Sequence, residues 1–156
     1  MNQNPKRNEI DKSLKIFIAL SRVHHKVMDV SNTSIQSYGL NPTEFAVLEI
    51  LYHKGSLALQ QIGEKILITS GSITYVVDKL EKKKLVKRIP CQQDRRVIFA
   101  ELTDNGKGLM DEIFPSHELQ LHESLMVLSN EEKDQLLLLL KKVGKYPTDK
   151  REEETL

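Results

Sequence analysis

One cysteine among 156 residues, Cys91, leaves no intramolecular disulfide framework and fits a reducing cytoplasm. No apolar run approaches the ~20 residues that a bilayer-spanning helix needs. No signal-peptide pattern opens the chain, so a cytoplasmic protein without a membrane partner is expected. The histidines, His24, His25, His53, His117 and His122, include no pair at the i, i+4 spacing of a helical metal site, and none neighbours the cysteine. The glycine-bearing stretches GSIT and GKGL lack the spacing of a phosphate-cradling loop, and no serine sits in a nucleophile-elbow pattern. No metal, no other cofactor and no enzymatic activity are expected. Net charge is only +1, so bulk charge implies no acidic partner, and no internal repeat or long linker is visible.

What is present is a normal core and an uneven charge distribution. Hydrophobic residues at 39% with 29% charged fit one soluble domain. Between Asp78 and Arg96, eight basic residues (Lys79, Lys82, Lys83, Lys84, Lys87, Arg88, Arg95, Arg96) face three acidic ones (Asp78, Glu81, Asp94). That excess is either a solvated helix end or a phosphate-binding face. Its setting favours the second reading. Ile73, Val76, Val77 and Leu80 form one apolar stripe of a helix over Ser70–Lys83, with Thr69 as N-cap. The other face carries Ser70, Ser72, Thr74, Tyr75, Asp78 and Lys79. Short polar groups near a helix N-terminus let it enter a major groove and bond base edges.

Two apolar runs follow, Leu85–Ile89 and Val97–Leu102, joined by Pro90–Arg96. They read as a hairpin with Arg95 and Arg96 at its tip, where Asp94 can pair with Arg96 and fix its direction. Such arginines suit a minor groove. Leu59–Lys65 is a short bracing helix before the groove helix, so the unit is a winged helix-turn-helix.

The rest is helical. The polar start MNQNPKRNE reads as frayed, and a long helix follows to Ser37, too apolar to stand alone. Asn41-Pro42-Thr43-Glu44 opens the next helix, which Lys54-Gly55 ends. Thr103 caps a helix that runs towards Leu128, with a kink or interruption expected at Pro115. Ser129-Asn130-Glu131-Glu132 is a capping box before a helix with five consecutive leucines, Leu136 to Leu140. These are apolar all round and fit a core shared between two subunits, the alternative being burial within one. The polar stretch 145–156 reads as a disordered tail.

The order ITSGSITYVVDKLEKKKLVKR, then DRR, then LTDNGKGL resembles the MarR family of bacterial transcriptional regulators, over about Ile10 to Val143. The resemblance implies a mainly α fold with a small β-wing, a single domain over 1–156. The winged helix-turn-helix DNA-binding lobe would be 41–102, and residues 9–37 and 112–144 would supply the N- and C-terminal dimerisation helices. It implies a homodimer on a pseudo-palindromic operator in double-stranded DNA. By default this is a repressor, released by a small aromatic, phenolic or quinone-like effector or by a stress signal. Within it, Ser70, Ser72, Thr74, Tyr75 and Lys79 read the major groove, and Asp94, Arg95 and Arg96 form the wing contact. Lys82, Lys84, Lys87 and Arg88 hold phosphates. Phe17, His24, Tyr38 and Tyr52 are candidate effector-pocket residues, each also explicable as packing. Redox-sensing members commonly carry a cysteine in the first helix. This chain has none there, so Cys91, set among cations in the wing, is the one redox candidate and otherwise an incidental small residue. A winged-helix protein–protein module that binds no DNA is the rival reading.

Overall fold

The computed structural model describes residues 5–145. The elements are α1 (Pro5–Ser37), α2 (Pro42–Lys54), β1 (Leu57–Ala58), α3 (Leu59–Ile66), α4 (Ser70–Lys82), β2 (Val86–Pro90), β3 (Ile98–Leu102), α5 (Asp104–Ser124) and α6 (Asn130–Gly144). Of the start expected to fray, residues 1–4 lie outside the described residues, while Pro5–Glu9 form the first turns of α1, with proline where its fixed φ suits a helix opening. Residues 146–156, expected as a disordered tail, also lie outside the described residues. The chain divides into two compact units, one up to Leu121 and one from His122 onward.

Local signals set most boundaries of the first unit. The Asn41 side chain accepts from the Glu44 amide, and the Glu44 carboxylate accepts from the Asn41 amide, both at 2.9 Å. This capping box, with proline at the first position, starts α2. Gly55, at φ 74°, ends it in a conformation that L side chains rarely adopt. Thr69 caps α4 through the Ser72 amide. The α4 stripe of Ile73, Val76, Val77 and Leu80 is buried as its spacing predicts. It meets Phe45, Leu48 and Leu51 of α2, Ile62 of α3, Val86 and Ala100 of the sheet, and Met110 and Ile113 of α5 in one core.

The sheet is larger than a hairpin. Its order is β1-β3-β2, with Leu57 opposite Ala100 and Ala58 opposite Phe99 on one edge, and Val86 opposite Leu102 through Pro90 opposite Ile98 on the other. Pro90, expected in the loop, is the last residue of β2; a missing amide is tolerated at the end of an edge strand. β1 has no sequence signal, because two residues carry no alternation to read.

Two further features are local. Leu67 turns the chain between α3 and α4 at φ 59° with its side chain 90% exposed, an expensive place for a branched residue. α5 passes through Pro115 without ending and stops at Ser124, short of Leu128. Leu125, Met126 and Leu128 donate instead to carbonyls three residues back, which tightens the chain into turns before the Ser129–Glu132 capping box starts α6.

Most of α1 before Val27 is exposed, including Leu14, Phe17 and Ile18, and α6 buries none of its residues, its five leucines included.

Lys83 staples the lobe from the end of α4. Its ammonium donates to the Gly39 carbonyl and to the Glu44 carboxylate, each at 2.8 Å. Glu44 is buried. Burial alone would raise its carboxyl pKa, but the Lys83 hydrogen bond, the Asn41 amide and the nearby lysine charges outweigh it and hold the pKa below the ordinary 4.5. A lowered folded-state pKa gives stability that is fully present above pH 4.5 and is lost as pH falls through the lowered value. Glu44→Gln should accordingly show a shallower fall in melting temperature between neutral and acid pH than the unsubstituted protein. Parallel losses in the two proteins would remove the Glu44–Lys83 pair as the acid-labile contact.

Candidate nucleic-acid interface

The polar side of α4 is open. Ser70, Ser72, Thr74 and Tyr75 are exposed, and Tyr75 retains 60% of its surface. Their hydroxyls are not all free. Ser72 shares a 2.9 Å hydrogen bond with the Thr69 hydroxyl, and Thr74 donates to the Ser70 carbonyl at 3.1 Å. The Lys79 ammonium lies 4.7 Å from the centre of the Tyr75 ring, a cation–π contact that orients both side chains along the helix.

The wing tip is built around Asp94. Its Oδ1 accepts from the Arg96 amide at 3.0 Å and from Nε at 3.1 Å, and its Oδ2 accepts from Nη2 at 3.0 Å. The Arg96 side-chain hydrogen bonds, then the Arg96 amide, lower the Asp94 carboxyl pKa. The turn closes through Val97 donating to the Asp94 carbonyl and Cys91 donating to the Val97 carbonyl, each at 2.9 Å. Arg95 and Arg96 project from it, exposed. Cys91 is half-buried at the base, its thiol 3.5 Å from the Gln93 side-chain oxygen.

The cations expected to hold phosphates divide. Lys82 and Lys84 are exposed. Lys87 is exposed but engaged, 2.6 Å from Glu101, whose hydrogen bond raises its pKa. Arg88 differs from its expectation. Its side chain is only 19% exposed and turns inward to Asp78, Glu81 and the Thr74 carbonyl, so it is not a free phosphate contact.

The four candidate pocket residues do not converge. Tyr52 lines a cavity of about 480 Å³ with Leu51, Gly55, Ser56, Glu101, Leu102 and Lys107, and its hydroxyl donates to Asp111 at 2.6 Å. Phe17 and His24 lie exposed on α1, and Tyr38 is half-buried against the core after Ser37. None of the three lines that cavity.

His117, to which the sequence assigns no role, packs into the lobe. It is buried, its ring centre 4.6 Å from that of Phe45 and its Nδ1 3.4 Å from the Ser31 hydroxyl. Burial lowers its pKa, against a raising influence from Glu49. Ser31 and His117 are 86 positions apart, so no local pattern could announce the contact.

A family model described as the MarR family matches residues 40–98, from just before α2 to the start of β3. The HTH-type transcriptional regulator MhqR of Bacillus subtilis (strain 168) is 56% identical over 134 residues, covering 86% of this chain and 92% of the relative. The structure of NadR in complex with 4-hydroxyphenylacetate superposes with a TM-score of 0.74 at 25% identity, over 85% of this chain and 94% of that one. That of a mutant MarR from E. coli complexed with operator DNA gives 0.77 at 22% identity, over 85% and 96%, a likeness of fold. By its relatives, its helix-turn-helix and its wing, this chain belongs to the MarR family of non-enzymatic, DNA-binding transcriptional regulators.

Proposed function

We propose that this chain is a homodimeric repressor that binds a pseudo-palindromic operator and releases it when a small hydroxylated aromatic compound or a related stress signal binds. The observation that carries the reading is the division of α4 into a buried apolar stripe and an exposed polar face, with the Arg95–Arg96 tip exposed on the same lobe. Two α4 helices enter successive major grooves with half-site centres about 10 bp apart. Ser70, Ser72, Thr74, Tyr75 and Lys79 face bases and nearby phosphates, while Lys82, Lys84 and Lys87 supply charge that anchors without choosing sequence. Arg96, steered by Asp94, enters the flanking minor groove beside Arg95. The apolar residues exposed on α1, and those on α6, are each covered by a second copy.

Effector release follows from differential affinity: a compound that favours misaligned reading heads shifts the dimer off DNA. NadR, seen with 4-hydroxyphenylacetate, supports a hydroxylated aromatic ligand. The cavity beside Tyr52 is one place for it.

Operator selection from random DNA, repeated with phenols, quinones and oxidants present, tests the whole scheme. One palindromic motif should emerge, and raising salt from about 50 to 200 mM should weaken its binding by roughly 10³–10⁵ if six to ten phosphates are engaged. A protein that is strictly monomeric, or that ignores duplex DNA at low salt, would refute it.

A further inference from the structure

Arg88 stands on β2, the strand that leads to the wing, and reaches back to the groove helix. Nη1 lies 2.5 Å from an Asp78 carboxylate oxygen and 2.8 Å from one of Glu81, and Nη2 donates to the Thr74 carbonyl at 3.1 Å. Three residues spanning two turns of α4 are thus tied to one planar group. Asp78 and Glu81 are three apart and share a helix face. Without the guanidinium, two adjacent carboxylates would repel each other and any passing phosphate.

We propose that Arg88 is a positioning residue for DNA reading: it touches no phosphate, but fixes α4 against β2 so that the groove helix and the wing tip arrive in register. The proposal rests on the DNA-binding reading above. The chemistry favours arginine, because a planar group with donors in fixed directions can serve two carboxylates and a carbonyl together, whereas an ammonium is a single point charge. The Thr74 carbonyl belongs to a residue expected to face bases, so the clamp acts directly on the reading segment.

The test compares affinity for the selected operator and for a scrambled duplex across a salt series. Arg88→Gln should weaken operator binding about tenfold, the size of one charge-assisted hydrogen bond. Scrambled-duplex binding should weaken much less, by the local charge change alone, and the slope of log affinity against log salt should match that of the unsubstituted protein. Equal loss on both duplexes, with a slope smaller by about one, is the signature of a phosphate contact and overturns the proposal. Should Arg88→Gln fail to fold, an Asp78→Asn, Glu81→Gln double variant decides the matter: the charge remains while the clamp is lost. It should bind scrambled DNA more tightly and lose discrimination. Retained discrimination overturns the proposal. An unsubstituted protein that binds neither duplex instead overturns the DNA-binding reading, and this proposal with it.

Discussion

Gly106→Ala will cost the fold about 3 kcal/mol, at the upper end of what forced overpacking costs. A Cβ built at Gly106 would fall on the Leu85 carbonyl oxygen and stand 2.9 Å from that carbonyl's carbon. Neither side can yield easily. The Leu85 carbonyl accepts from the Thr103 amide at 3.0 Å, and the Thr103 hydroxyl donates to the Lys84 carbonyl at 2.7 Å while accepting from the Gly106 amide at 3.1 Å. The start of α5 is thereby riveted to the chain between α4 and β2, and the glycine is the gap that permits so close an approach. A loss of that size corresponds to a fall in melting temperature of roughly 6–12 °C for a chain of this length. Gly108 supplies the control. A Cβ there meets nothing within 4 Å, so Gly108→Ala should stabilise α5 by about 0.5–1 kcal/mol through helix propensity. Two alanines, two positions apart, should shift the melting curve in opposite directions. If both are neutral, the α5 start is looser than the Leu85–Thr103 geometry requires.

That contrast also marks what a sequence discloses. The caps at Asn41, Thr69 and Ser129 are readable because donor and acceptor lie three residues apart, and the α4 stripe because its period is that of the helix. Asp94 and Arg96, two apart, pair on the same ground. The Gly106 gap depends on the carbonyl of Leu85, across a whole strand pair, and has no local signature. Arg88 shows the difficulty more sharply. Basic composition places it among phosphate ligands, yet its partners lie seven to fourteen residues back, on a helix whose packing has first to be known. The pocket residues are the least legible, since four aromatic or imidazole side chains in a sequence say nothing of whether one cavity gathers them.

Arg96→Ala should weaken operator binding by about 1–3 kcal/mol, roughly several-fold to a hundredfold or more. The side chain is 90% exposed and, among the described residues, is paired with Asp94, its neighbour in the same turn, so its removal disturbs little of the fold. The affinity change therefore reports contact with DNA and not partial unfolding. Two effects add. A guanidinium is withdrawn from a groove of high negative potential, and Asp94, no longer neutralised, is left facing the phosphates. The second can be separated: Asp94→Asn in the Arg96→Ala background should recover part of the loss, and the recovered part should shrink as salt rises. Arg96→Lys should fall between the two, because an ammonium keeps the charge but cannot hold both Asp94 oxygens as Nε and Nη2 do. Unchanged affinity for Arg96→Ala in gel shifts at fixed salt would mean that the wing tip does not reach the operator, and the exposed arginines would then need another partner.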